Sequence, residues 1–233
     1  MKQVKNFLFM IVLLIGPLIT TEKIHAADQQ SAQTNTEANV KAGDINAIND
    51  SPIVRPFDPN DITHYKGQLG FIYASHFDFG EIKLTGKDID VRPINRVSAN
   101  NGQTVPVNYS IETLDTRGTG SGWDLMVDLS GFHSTDPGDS NRLKGARLTL
   151  PVGQIATTEG LKPTGSVTPI PFSCTLDAED QIDGKILLMA AANQGMGHWA
   201  EIWHPEQIHL KAPLSQYLGS YEAKLTWTLI DSI

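Results

Sequence analysis

The sequence predicts an all-β fold, an antiparallel β-sandwich or barrel-like domain behind a signal peptide and a disordered polar leader. Three observations predict it. Several runs alternate apolar and polar residues with a period of two, the signature of half-buried strands. Clusters of Gly, Pro, Asn and Asp punctuate these runs, drawing on 20 glycines and 13 prolines in 233 residues. No long stretch carries a 3.6-residue period, and no strand-helix-strand rhythm points to a parallel sheet.

The N-terminus comes first. Lys2 and Lys5 precede an apolar run from Phe7 to Ile19, and a polar stretch follows that ends Ile24-His25-Ala26. This is the pattern of a secretory signal peptide over residues 1–26, with cleavage expected after Ala26. The apolar run of about 13 residues falls short of the roughly 20 that a membrane-spanning helix needs. Residues 27–60 are rich in Gln, Asn, Asp, Ser, Thr and Ala, and only Val40, Ile45 and Ile48 are larger apolar residues before Ile53. Such a segment cannot offset its ordering entropy, so a disordered leader is expected there, ending near Pro52, Pro56 and Pro59. A single β domain is expected over residues 61–233.

Within that domain Leu69, Phe71 and Tyr73 alternate with Gly70, Ile72 and Ala74, and Val105, Val107, Tyr109 and Ile111 form a second run. Arg117-Gly118-Thr119-Gly120-Ser121-Gly122 can supply the positive φ values of a tight connection, and Trp123, Leu125, Val127 and Leu129 then alternate with Asp124, Met126 and Asp128. The expectation is a β-hairpin across this turn. Further strands are expected at residues 146–150, 185–191, 208–212 and 221–229. In the last of these Tyr221, Ala223, Leu225, Trp227 and Leu229 share one face, and a terminal strand so patterned is expected to dock in the core.

Composition excludes several function classes. With 18 Lys+Arg against 26 Asp+Glu the chain carries −8, and removal of residues 1–26 leaves 15 basic and 25 acidic side chains, a net charge of −10. A nucleic-acid binder would show a basic patch, and none follows the N-terminus, so no nucleic-acid partner is expected. The lone Cys174 can form neither an intramolecular disulfide nor a thiolate zinc site. His198, His204 and His209 do not match a zinc signature, and no cofactor loop or nucleophile elbow is present. Paired carboxylates are conceivable in any chain with 26 acids, so a wall hydrolase gains no support from them. No catalytic residue, metal or cofactor is assigned.

Two Trp-x-Leu tripeptides carry a resemblance. Asp115-Thr116-Arg117-Gly118-Thr119 runs into Gly122-Trp123-Asp124-Leu125, and Trp227-Thr228-Leu229 stands four residues from the end. With Phe77-Asp78-Phe79-Gly80 and Gly195-Met196-Gly197-His198-Trp199, the chain over about residues 65–233 resembles the WxL domain family. The resemblance implies a secreted protein of a Gram-positive bacterium, held on the cell wall without covalent linkage through peptidoglycan, and no enzymatic activity. It also implies other WxL-type surface proteins and a membrane-anchored protein as partners, a role in adhesion, and host extracellular matrix as a target. The chain looks like a short member without a separate adhesive module.

The family motif makes Trp123, Leu125, Trp227 and Leu229 the first candidate binding residues. Strand geometry qualifies this, because Trp123 shares a face with Leu125, Val127 and Leu129, and Trp227 with Leu225 and Leu229. Both indoles are therefore expected to face the core, with the two motifs packed against each other, and ligand contact is the alternative. Residues off the regular alternation, Trp199, Trp203, His198, His204 and Asn193, are candidate glycan contacts, since a flat aromatic beside hydrogen-bonding groups suits a sugar. The competing reading has Trp199 and Trp203 staple a long connection to the sheet. A domain that docks a membrane-anchored surface protein, with little glycan affinity, is the alternative function.

Overall fold

The computed structural model describes residues 38, 40–42, 52–54, 67–100, 103–158, 167–178 and 184–232. The expected signal peptide and most of the expected leader lie outside the described residues. Among those described, the first eight strands are β1 (Leu69–Ala74), β2 (Ile89–Val91), β3 (Arg96–Asn100), β4 (Gln103–Val107), β5 (Tyr109–Asp115), β6 (Trp123–Leu129), β7 (His133–Ser134) and β8 (Arg147–Leu150). They are followed by β9 (Gln154–Thr157), β10 (Ile170–Pro171), β11 (Cys174–Asp177), β12 (Lys185–Ala190), β13 (Gly197–Trp203), β14 (His209–Ala212), β15 (Tyr221–Glu222) and β16 (Leu225–Asp231). One 3-10 turn at Pro205–Gln207 interrupts them. The fold is all-β and every strand pair is antiparallel.

Three four-stranded sheets, ordered β1-β5-β13-β9, β10-β12-β6-β16 and β11-β8-β14-β2, contribute to one core. The first sheet supplies Tyr109, Ile111, Trp199 and Trp203, the second Trp123, Leu125, Val127 and Leu129, and the third Leu148, Leu150, Leu176 and Leu210. The alternation read along β6 is realised in full: Trp123, Leu125 and Val127 are 0 % exposed and Leu129 is 2 % exposed.

The expected hairpin is not formed. β5 pairs with β1 and β13, whereas β6 pairs with β12 and β16, so the Arg117–Gly122 loop carries the chain from one sheet to another. The positive φ of Gly118, Gly120 and Gly122 is used for this crossover. Gly122 also has no room for a side chain, since a Cβ there would stand 2.2 Å from the Ala190 carbonyl oxygen. The run read as one strand through residues 105–111 is broken at Asn108 into β4 and β5, and the C-terminal run is broken into β15 and β16.

The segment read as a long connection stapled by Trp199 and Trp203 is instead β13, an inner strand of the first sheet paired with both β5 and β9. Its two faces are both covered, as are those of β5, where all seven residues are buried. A strand buried on both sides shows no apolar-polar alternation, so the period-two test misses it.

The last strand is an edge. Leu225, Trp227 and Leu229 pack against the core but stay only partly buried, because β16 has β6 on one side and no strand on the other among the described residues. This difference in burial predicts a difference in stability. Trp123→Ala is expected to cost about 3–5 kcal/mol, and Trp227→Ala distinctly less. Urea denaturation followed by circular dichroism measures both, and equal losses would contradict the placement.

Candidate functional site

Antiparallel pairing of β6 with β16 brings the two tripeptides side by side. Leu125 stands opposite Leu229, Val127 opposite Trp227, and Trp123 opposite Asp231. Directly opposed side chains lie on one face of a sheet, so the expected packing of the motifs together is a cross-strand contact. The two tryptophans nevertheless have different surroundings. The Trp123 indole is fully buried, and its N–H donates to the Gly195 carbonyl at 3.1 Å. A Cβ on Gly195 would fall 2.6 Å from that indole nitrogen, so the glycine lets the 190s loop close over the ring. Trp227 is partly buried, and its indole N–H has no hydrogen-bond partner among the described residues.

Arg117 locks the far end of this strand pair. Its Nε and Nη2 donate to the two carboxylate oxygens of Asp115 at 3.0 and 2.8 Å, and Nη2 also donates to the Gly122 carbonyl at 2.9 Å. Nη1 reaches Asp231, to which Ser121 Oγ donates at 3.0 Å. One guanidinium thus joins the end of β5, the crossover loop and the end of β16. The bonds to Asp115 raise the Arg117 pKa further above its ordinary range, with Asp231 adding to the effect. In return the Asp231 carboxyl is held below the usual range, first by Arg117 and then by Ser121. Bidentate pairing of this kind fixes geometry as well as charge.

The five candidate glycan contacts do not form one surface. Trp203 is 0 % exposed, Trp199 and His198 are each 3 % exposed, and the two indole N–H groups are used internally, on the Pro151 carbonyl at 2.8 Å and the Met196 carbonyl at 2.9 Å. Sealed in the first sheet, these three side chains are out of reach of a glycan in this conformation. Asn193 and His204 are exposed. Asn193 holds a positive φ of 65° in the loop beside Gly120, to whose carbonyl its backbone N–H donates at 2.8 Å. His204 precedes the 3-10 turn, where its backbone N–H donates to Gln207 Oε1 at 2.9 Å.

The structure adds two buried carboxylates that the sequence did not single out. Glu112, 0 % exposed, accepts the backbone N–H of Ile53 on Oε2 at 2.7 Å and that of Val54 on Oε1 at 2.8 Å, with His198 Nε2 2.9 Å from Oε2. A stretch assigned to the leader is therefore tied to the outer face of the first sheet. Glu201 is buried on the opposite, inner face: Oε1 accepts the Gly153 N–H at 2.9 Å, and Oε2 has no hydrogen-bond partner among the described residues. Burial pushes the Glu201 carboxyl up to about 8. Burial first, and the nearby Glu201 second, push the Cys174 thiol up to about 12, which leaves it an unreactive thiol at neutral pH. A lone acid inside a strand looks in sequence like any solvent-facing acid, so no signal marked Glu112 or Glu201.

These features describe a β domain whose unusual groups are engaged in holding strands together. The WxL domain family, described as surface cell wall-binding, matches residues 27–232, and the chain belongs to that family. The match begins directly after the expected cleavage site. It is a cell-wall-binding family and not an enzyme family. No curated protein and no solved structure matches the chain.

The Glu201 environment predicts a pH dependence. Its folded value near 8 lies above the ordinary 4.5, so between these the folded state keeps a proton that the unfolded state releases, and stability falls as pH rises through that window. Glu201→Gln is expected to flatten the fall, gaining on the wild type by a few kcal/mol between pH 5 and pH 8. Denaturation midpoints at pH 5, 6.5 and 8 measure it, and parallel slopes for the two proteins would refute it.

Proposed function

We propose that the protein is secreted and attaches non-covalently to the bacterial cell wall by binding peptidoglycan, with Trp227 and Leu229 on the edge strand as the part of the motif that meets the ligand. Family membership supports wall binding. The observation that carries the finer reading is the asymmetry of the two motifs: Trp123 has its ring and its N–H consumed by the core, whereas Trp227, on a strand that is an edge among the described residues, is only partly buried and has no hydrogen-bond partner for its N–H among them. An aromatic ring with a polar handle suits a glycan or a stem peptide, both of which combine apolar CH groups with hydrogen-bonding ones. On this reading Trp123 and Leu125 serve by shaping β6, on which β16 is held.

The open edge of β16 supports a second reading, in which a membrane-anchored surface protein adds a strand there and the domain acts within an adhesive surface complex, with host matrix as its target. Unpaired edge backbone is a template for such pairing. Co-sedimentation with purified, protein-free peptidoglycan separates the two. Wild type is expected to pellet, and a Trp227→Ala protein with native circular dichroism is expected to bind roughly 30-fold more weakly, as for a contact residue worth about 2 kcal/mol. A wild type that never pellets would contradict direct wall binding and favour the protein partner.

A further inference from the structure

Residues 53–54, which the sequence places in a leader, are held to the first sheet by one side chain. Glu112 Oε2 accepts the Ile53 N–H at 2.7 Å, and Oε1 accepts the Val54 N–H at 2.8 Å. Neither residue belongs to a strand, and the backbone bends at both. Successive N–H groups converge on one anion only where the chain turns, since in an extended strand they point to opposite sides. A strand ladder would hold this stretch poorly, because Pro52 and Pro56 each lack an N–H. The segment is half-buried, and both bonds to Glu112 come from its main chain.

The acceptor, by contrast, is built into the sheet. Glu112 lies on β5, an inner strand, directly opposite Ala200 of β13, and Leu114 stands on the same face. All three are buried. His198 Nε2 is 2.9 Å from Oε2, and Ser110 Oγ donates to Oε1 at 3.4 Å. These two partners belong to the sheet and orient the carboxylate, whereas its two shortest bonds come from the bent segment. A buried carboxylate stripped of such donors is costly. Whenever residues 53–54 lift away, the site therefore favours any chain that restores the two bonds. What it reads is main chain, so any two consecutive residues other than proline supply the donors.

We propose that the outer face of the first sheet is a peptide-binding site, closed in the free protein by residues 53–54 acting as a displaceable latch. Its ligand is a bent segment of a partner protein that presents two consecutive non-proline N–H groups to Glu112. The chain's own bend is the pattern for that ligand, seated on the carboxylate through contacts that any such segment reproduces. The site uses neither Trp227 nor the edge of β16, and stands or falls independently of peptidoglycan binding.

Competition with a labelled peptide tests it. The probe is an end-blocked peptide of residues 50–57, followed by fluorescence anisotropy against the purified protein. Tethered through residues 55–66, the latch acts at an effective concentration of about 1 mM. A peptide that binds the open site at about 30 μM should then bind the wild type roughly 30-fold more weakly. Ile53→Pro/Val54→Pro removes both donors and opens the site, so this variant should bind the probe more tightly than wild type by that factor. Adding Glu112→Gln to it should weaken binding about tenfold or more. A probe with alanine at both positions should bind like the parent, and one with proline at both should not bind. In the wild type, with no substitution at all, the same closure constant should appear as about 30-fold protection of the Ile53 and Val54 amides in hydrogen exchange, far below that of the β5 amides. Equal affinity of wild type and the proline variant, a proline probe that binds or an alanine probe that does not, binding indifferent to Glu112→Gln, or amides at 53 and 54 as protected as those of β5 would each overturn the proposal.

Discussion

The hydrogen bond from the buried Trp123 indole to the Gly195 carbonyl sets how closely three segments approach one another. Around that ring, Gly195 closes from one side and Gly122 presses on the backbone at Ala190 and Ala191, both at distances that leave no space for a Cβ. The crossover loop and the 190s loop are joined again by the Asn193 N–H on the Gly120 carbonyl at 2.8 Å. A buried indole deprived of its acceptor would leave an unsatisfied donor in the core, so the ring, the carbonyl and the glycines act as one unit.

From that unit follow the positions of both tripeptides. β6 is an inner strand with its apolar face sealed by the other two sheets, and β16 is laid against it in a register that sets leucine opposite leucine. Arg117 then fastens the last residues of β16 to the crossover loop that leads into Trp123. The repeated motif is therefore one paired structure with two different surroundings. The first copy is buried in an inner strand, and the second lies partly buried at the edge.

Much of this could be read from the sequence where one face of a strand is wet. The alternation through Trp123, Leu125, Val127 and Leu129 located β6, and the C-terminal alternation located most of β15 and β16. It did not reveal that β16 is an edge, because inward-facing residues alternate in the same way whether or not a strand has a second neighbour. β13 escaped since Trp199, Glu201 and Trp203 on one face and His198, Ala200 and Ile202 on the other are both covered or nearly so. The Arg117–Gly122 loop was legible as a turn but not as a sheet-to-sheet crossover, as three glycines with positive φ serve either. Glu112 and Glu201 were silent for a different reason: their burial depends on distant segments, residues 53–54 and Gly153, whose approach no local pattern encodes.

The division of labour between the two tryptophans is most directly tested by acrylamide quenching of tryptophan fluorescence with and without protein-free peptidoglycan. One accessible class of emitter is expected, removed by Trp227→Phe and shielded when peptidoglycan is added, while Trp123, Trp199 and Trp203 stay protected throughout. Undiminished quenching of Trp227 in protein that has bound the wall polymer would contradict it.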